Sequence, residues 1–240
     1  FDEAEFAGCF AVLMALAIGI LLLLQLIRIP PPTEAERRER GRPLGEILRQ
    51  PVLVVAVLCG MIGYSVMSLV MTATPLAMVG HHHGFDDAAF VIQWHVLGMF
   101  IPAFFTGHLI ARYGTLHVML GGAVLLAACV GINLAGARVI EFWTALLALG
   151  VGWSFLYIGA STLLTESYRP AERATVQAFN DFMIGVAVSL ASFSSGALHS
   201  RFGWEAVNYG VAPLILAAIV EMLWLLQFRR RRVRPGVPAA

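Results

Sequence analysis

Long apolar runs, separated by short polar stretches, make up most of the chain. Two examples are FAGCFAVLMALAIGILLLLQLI at 6–27 and VNYGVAPLILAAIVEMLWLLQF at 207–228. Each reaches the length of about 20 residues that a helix needs to cross a bilayer core of about 30 Å. Backbone polar groups inside a bilayer must be satisfied within helices. We therefore predict an all-α membrane protein with spans near 5–28, 51–78, 87–110, 115–136, 141–164, 174–197 and 206–228.

The composition supports this class. The chain is 59% hydrophobic and 13% charged, whereas soluble domains carry roughly 25% charged residues. Glycines within the predicted spans, such as Gly121, Gly122 and Gly150, are expected where helices approach one another closely.

The longest polar stretch, RIPPPTEAERRERGRPLGEILRQP, follows the first predicted span. Its prolines and arginines predict a linker over 30–50, with a short surface helix at 44–50. The chain begins with FDEAEFAG, and no positively charged segment precedes the first apolar run, which therefore does not read as a signal peptide. We expect further helices of the same protein upstream of it.

The basic residues predict the orientation in the membrane. All sixteen are arginines, and only Arg138 and Arg201 fall on one side of the predicted spans. The other fourteen lie in the linker, in alternate loops and in the C-terminal tail. The positive-inside rule places the linker and the tail in the cytoplasm and His81–His83 outside. The net charge of +1 gives no reason to expect a nucleic-acid partner.

Four potential metal ligands occupy the second and third predicted spans. Met67 and Met71, and likewise His95 and Met99, are four residues apart, which places each pair on one helix face. Around a turn centred near His83, Met67 pairs in depth with Met99 and Met71 with His95, in two layers about 6 Å apart. Thioethers suit Cu(I), and imidazole also accepts copper. The alternative is that the methionines fill the core or line a greasy cavity, and that His95 packs or relays protons.

Other polar positions within the spans have weaker signals. Glu221 is a candidate for proton coupling, because ionisable groups inside a membrane are often functional. Asp181, next to Asn180, is expected to cap a helix or form a pair. Cys59 has no CxxC partner, and a buried structural role fits it. We find no nucleophile–base pair, phosphate-binding loop or haem motif, so we expect neither an enzyme nor a resident cofactor.

The order of elements resembles the major facilitator superfamily from its sixth helix to its end. GHLIARYG at 107–114 looks like the family's G-x-L-a-D-r-x-G signature, although Ala111 stands where the aspartate belongs. ESYRPAERATVQAFND at 166–181 is similar to the Pro-x-x-Arg loop before the eleventh helix, and FGWEAVNYG at 202–210 to the entry into the twelfth. The missing aspartate puts the family's usual cytoplasmic charge latch in doubt for this half.

The resemblance implies a major facilitator fold in which this chain holds one half of a two-half transporter, with the substrate site between the halves. The expected divisions are the last helix of the N-terminal half at 1–29, the cytoplasmic central linker at 30–50, the C-terminal six-helix bundle at 51–228 and the cytoplasmic basic tail at 229–240.

Within that superfamily, Met-x-x-x-Met followed by His-x-x-x-Met looks like the CcoA-type bacterial copper importers of the inner membrane. This resemblance implies import of copper, as substrate, for haem–copper oxidase assembly, with Met67, Met71, His95 and Met99 as ligands. Cys59 falls where those importers also carry a functional thiol. We expect the opposite half to supply further ligands, since a cage closed within one half would trap the ion.

Two other functions stay open at this point. One is a proton-coupled exporter or importer of a small organic solute or drug. The other is a membrane assembly protein that transports nothing. The expected partners in every case are the lipid bilayer and the N-terminal half of the same protein.

Overall fold

The computed structural model describes residues 7–27 and 41–233, which fall into two units. The first unit contains α1, Ala7–Leu24. This apolar helix lies inside the span predicted at 5–28. Residues 5, 6 and 28 of that span and the first part of the predicted linker, 30–40, lie outside the described residues. Within the described ranges the structure is helical and has no β-strand, which confirms the all-α class.

The second unit is a helix bundle. α3, α6, α7 and α8 are each long and apolar enough to cross a membrane, and α4 with α5 forms a bent pair that passes the same test. The elements are α2 (Leu44–Ile47), α3 (Pro51–Gly80), α4 (Phe85–Phe100), α5 (Ala103–Tyr113), α6 (Thr115–Ala135), α7 (Val139–Thr165), a 3₁₀ turn (Pro170–Glu172) and α8 (Arg173–Val233).

The span predicted at 87–110 is broken. α4 ends at Phe100, α5 begins at Ala103, and the two axes differ by 43°. Pro102 accounts for the break, because proline has no N–H for the helical ladder and its ring clashes with the preceding turn. The Pro102 carbonyl oxygen accepts from the Thr106 N–H at 2.9 Å and from the Thr106 hydroxyl at 2.7 Å, at the start of α5.

The last helix reverses direction at Gly203, whose φ of 83° is readily adopted only by glycine. Ile184 and Glu221 lie at almost equal distances in sequence from Gly203, one before it and one after it. Both side chains contact α3 at neighbouring residues. A Cβ at Gly60 would lie 3.3 Å from Ile184 Cδ1, and Cys59 Sγ is 3.1 Å from Glu221 Oε1. The first segment of α8 (173–202) and the second segment (204–233) are therefore antiparallel, as predicted for two separate spans. The second continues five residues past the predicted end at 228.

Helix α7 packs along α3, α4 and α6, and its backbone comes close to those of α4 and α6. A Cβ added at Gly122 would lie 2.7 Å from the Gly152 carbonyl oxygen, and one at Gly150 would lie 2.5 Å from the His95 carbonyl oxygen. These positions confirm the expectation of close approach. The expectation is wrong for Gly121, which points into open space.

One carboxylate joins the linker to the turn between α7 and α8. Glu172, 2% exposed, accepts hydrogen bonds from Arg42 Nε, Arg42 Nη2 and the Arg42 backbone N–H, each at 2.8 Å, and from the Arg169 N–H at 2.9 Å. The Arg42 guanidinium, helped by these backbone donors, holds the pKa of the Glu172 carboxyl well below its usual range. We call this cluster of Arg42, Arg169 and Glu172 the linker clamp.

Replacing Gly122 by alanine should destabilise the bundle, whereas Gly121→Ala should not. Both changes gain about 1 kcal/mol of helix propensity, but only the first drives a methyl into α7, at a typical overpacking cost of about 1–3 kcal/mol. Thermal unfolding in detergent compares the two neighbours directly. Equal midpoints for both variants would contradict the close approach of α6 and α7.

The linker clamp should make the free energy of unfolding depend on pH. Because the Glu172 pKa is lower in the folded chain than in the unfolded one, its contribution is complete above the ordinary carboxyl range and declines as the pH falls through that range. Glu172→Gln should lower the melting midpoint at neutral pH and flatten this pH dependence.

The control is Glu166→Gln. Glu166 forms an exposed ion pair with Arg229 at 2.7 Å, and such pairs contribute little. If the two glutamine variants melt alike at every pH, the clamp is not a stabilising element.

Candidate functional site

An aromatic cluster joins the middles of α3 and α7. The Tyr64 ring meets Trp153 edge-on at 5.0 Å between ring centroids and Tyr157 at 4.8 Å, while Trp153 and Tyr157 stack at 5.2 Å with planes 11° apart. Tyr64 lies near the centre of Pro51–Gly80 and Trp153 near the centre of Val139–Thr165. The cluster of Tyr64, Trp153 and Tyr157 is therefore at mid-membrane depth.

This aromatic cluster is partly open and has an unused donor. Tyr64 and Tyr157 are half-buried. Trp153 is 6% exposed, and its indole N–H has no hydrogen-bond partner among the described residues. A buried N–H without a partner is costly, and it presents a donor to any acceptor that reaches the cluster.

His95 lies at the crossing of α4 and α7. The ring is fully buried, and Nδ1 is 2.8 Å from the Leu146 carbonyl oxygen. Because a carbonyl only accepts, Nδ1 carries the proton and Nε2 keeps a lone pair. Nε2 has no partner among the described side chains and backbone. The Nε2 lone pair can therefore take up a proton, accept a hydrogen bond or bind a metal ion.

The three methionines of the predicted metal set lie on the same two helices. Met67 is 9% exposed, and Met71 and Met99 are half-buried. α3 and α4 have few contacts with each other, whereas each packs extensively along α7. In the described part of the chain, no three His, Cys, Asp or Glu side chains are placed to hold a metal ion. The Met67, Met71, His95 and Met99 set stays a prediction.

Cys59 and Glu221 form a pair between α3 and the second segment of α8. The fully buried Cys59 thiol donates to Glu221 Oε1 at 3.1 Å, and the carboxyl is half-buried. Each residue was singled out separately from the sequence, but their contact could not be, because it depends on the reversal at Gly203. A carboxyl held by a thiol rather than by a cation can change its protonation without breaking an ion pair.

Asp181 is on the first segment of α8, exposed, and its carboxylate accepts a hydrogen bond from the Asn180 amide at 3.2 Å. This is the local pairing expected from the sequence.

The sequence pattern does not predict the aromatic cluster. Its one local signal is Trp153-x-x-x-Tyr157, two aromatic residues on the same face of a helix. Tyr64 is distant in sequence, and its part in the cluster depends on the packing of α3 against α7.

The family described as Major Facilitator Superfamily matches residues 57–240, which is most of the chain. The chain belongs to the major facilitator superfamily. This agrees with the superfamily resemblance of the motifs at 107–114, 166–181 and 202–210, and a multi-pass membrane protein follows from it together with the apolar helices. Membership of a transporter family also fits the expectation that the chain is not an enzyme.

Three curated relatives show what this major facilitator chain is similar to. The riboflavin transporter RfnT of Brucella anthropi is 44% identical over 228 residues, which cover 94% of this chain and 57% of the relative. The uncharacterized MFS-type transporter YddS of Bacillus subtilis is 29% identical over 226 residues, covering 88% and 51%. The tetracenomycin C resistance and export protein of Streptomyces glaucescens is 24% identical over 199 residues, covering 82% and 35%.

The chain spans about half the length of the curated relatives it matches. The relatives whose names state a substrate act on organic molecules, riboflavin in one and tetracenomycin C in the other. They support the organic-solute alternative better than copper import.

Proposed function

We propose that the complete transporter containing this chain carries a flat heteroaromatic solute, a flavin such as riboflavin, across the bacterial plasma membrane. The proposal rests on the aromatic cluster at mid-membrane depth, in which the Trp153 N–H has no partner among the described residues. The similarity to a riboflavin transporter supports the same solute class.

The cluster suits a flavin chemically. A flavin ring system is planar, uncharged at neutral pH and rimmed with carbonyl and ring-nitrogen acceptors. Aromatic pairs contribute about 0.5–1.5 kcal/mol beyond the area that they bury, and the Trp153 N–H supplies a donor for a ring acceptor. The three side chains of the cluster carry no formal charge, as a neutral solute requires.

The position of the cluster fits alternating access. Transporters built from two repeats bind their substrate near the midplane, at the interface of the repeats. Tyr64 and Tyr157 are only partly buried, so a solute can pack against them while the opposite half forms the other wall.

Copper import is the second candidate, and the specific observation in its favour is the free lone pair of His95 Nε2. Together with Met67, Met71 and Met99 it would bind copper as substrate. It has less support, because the relatives with named substrates act on organic molecules.

Trp153→Phe should weaken flavin transport with little loss of stability. The substitution keeps an aromatic ring and removes the N–H. The affinity for the flavin should therefore fall by about five- to tenfold, which is the usual net contribution of one hydrogen bond to binding. Uptake of labelled riboflavin by cells expressing the complete transporter, with KM and maximal rate measured separately, gives the result. The loss is expected in KM.

The matched comparison is Met67→Leu combined with Met71→Leu. Leucine keeps the volume and the apolar surface at a cost below about 1.5 kcal/mol, so riboflavin uptake should survive and copper uptake should be unaffected. Loss of copper accumulation in this variant, with no riboflavin uptake by the wild type, would replace the flavin proposal by copper import.

Glu221 is our candidate for the coupling proton. Its carboxyl is half-buried inside a span and contacts the Cys59 thiol, so it can bind and release a proton during transport. Glu221→Gln should abolish accumulation driven by a proton gradient and leave riboflavin exchange between equal pools intact. Proteoliposomes separate the two reactions. Gradient-driven accumulation at the wild-type level in this variant would exclude Glu221 as the coupling site.

A further inference from the structure

A cavity of about 400 Å³ lies at the end of the bundle opposite the linker, away from the aromatic cluster. Three chain reversals meet there, those after α3, after α6 and at Gly203. The lining residues are His81, Asn133, Leu134, Gly136, Ala137, Phe202, Gly203, Trp204 and Glu205. The positive-inside rule places this end of the bundle outside the cell.

A chain of hydrogen bonds fixes the orientation of the Asn133 side-chain amide. Asn208 Nδ2 donates to the Trp204 carbonyl at 3.0 Å, which leaves Asn208 Oδ1 as an acceptor. Asn133 Nδ2 donates to that oxygen at 2.9 Å and to Cys129 Sγ at 3.6 Å. The Asn133 amide therefore has one orientation.

This orientation leaves Asn133 Oδ1 unsatisfied. Asn133 is 3% exposed, and Oδ1 has no partner among the described residues. A buried acceptor without a donor is unfavourable, and this one belongs to a residue that lines the cavity. A ligand with a hydrogen-bond donor would satisfy it.

A helix C-terminus and a carboxylate in the cavity lining can attract a positive ligand. α6 ends at Ala135, and its last carbonyls have no partners within the helix, so its negative dipole end is at the lining residues Asn133, Leu134 and Gly136. Glu205 adds an exposed carboxylate to the lining, at the start of the second segment of α8.

The walls favour an organic cation over a bare metal ion. Trp204 and Phe202 provide aromatic surfaces, which attract ammonium groups. The Trp204 indole N–H is used internally, donating to the Asn133 carbonyl at 3.3 Å, so the ring stays as an apolar wall. A cavity of this volume is far larger than one dehydrated ion.

We propose that this cavity binds a primary ammonium group, with Asn133 Oδ1 and the Glu205 carboxylate as acceptors and the faces of Trp204 and Phe202 as walls. The group can come from the ethanolamine headgroup of a membrane phospholipid or from a free amine in the medium. The exposed Arg201, next to Phe202 in the chain, offers a cation to the phosphate of such a headgroup.

The test uses the complete transporter in nanodiscs of phosphatidylethanolamine or of phosphatidylglycerol, followed by native mass spectrometry after transfer to detergent. The wild type should retain phosphatidylethanolamine in preference to phosphatidylglycerol, or should bind free ethanolamine in a calorimetric titration. If only the lipid is retained, the ammonium group in the cavity belongs to the lipid headgroup. If free ethanolamine binds, the ligand is a soluble amine.

Glu205→Gln removes the charge at an exposed position and should weaken either form of binding about tenfold, as expected for a charge-assisted hydrogen bond. Phe202→Leu, on a side chain that is 70% exposed, should also weaken binding. Asp86→Asn is the matched control, an exposed carboxylate in the first turn of α4 that does not line the cavity, and should leave binding unchanged.

Two results would overturn the proposal. One is a wild type that neither prefers phosphatidylethanolamine nor binds ethanolamine, in which case water satisfies Asn133 Oδ1. The other is equal binding by the wild type, Glu205→Gln and Phe202→Leu. Both readouts are independent of riboflavin transport, so they do not depend on the proposed function.

Discussion

Close backbone approach along α7 is the interaction on which the rest of the bundle depends. In a lipid environment the hydrophobic effect does not drive helices together, so association depends on packing and on hydrogen bonds between helices. Gly122 and Gly152 bring α6 against α7, and Gly150 brings α7 against the backbone of α4 at His95. These contacts put α7 at the centre, and from there Trp153 and Tyr157 meet Tyr64 of α3.

Hydropathy predicts which segments are helical, but it does not show where a helix bends or which other helices it packs against. The seven predicted spans correspond to helices in the described part of the chain, because their apolar length alone requires it. The bend at Pro102 escaped the prediction, since apolar residues continue on both sides of it. The reversal at Gly203 was anticipated, because the polar residues around RFGWE interrupt the apolar pattern.

The candidate site was harder to predict than the helices. The Met and His spacing gave a two-layer site on the assumption that α3 and α4 face each other along their length. In the structure α3 packs most extensively on α8 and next on α7, whereas α4 packs mainly on α7, where His95 pairs with Leu146. Which helices become neighbours is decided by small residues and shape, which one sequence does not reveal. The aromatic cluster and the Cys59–Glu221 pair both depend on that choice of neighbours.

Both proposed ligand sites contain a polar atom that is buried and unpaired in the described part of this chain. Most buried polar groups here are paired within the chain, as Ser195 is with the Leu69 carbonyl at 2.7 Å and Asn133 Nδ2 with Asn208. The Trp153 N–H and Asn133 Oδ1 lack partners among the described residues, and they lie at two different depths. The other buried side-chain atoms without partners there are His95 Nε2, Trp143 Nε1, Ser154 Oγ and His199 Nδ1. A group that is already satisfied gains nothing from a ligand, whereas an orphaned donor or acceptor gains a full hydrogen bond. A transporter has to release what it binds, and a single hydrogen bond beside an aromatic face, as in both proposals, would give specific binding that is still reversible.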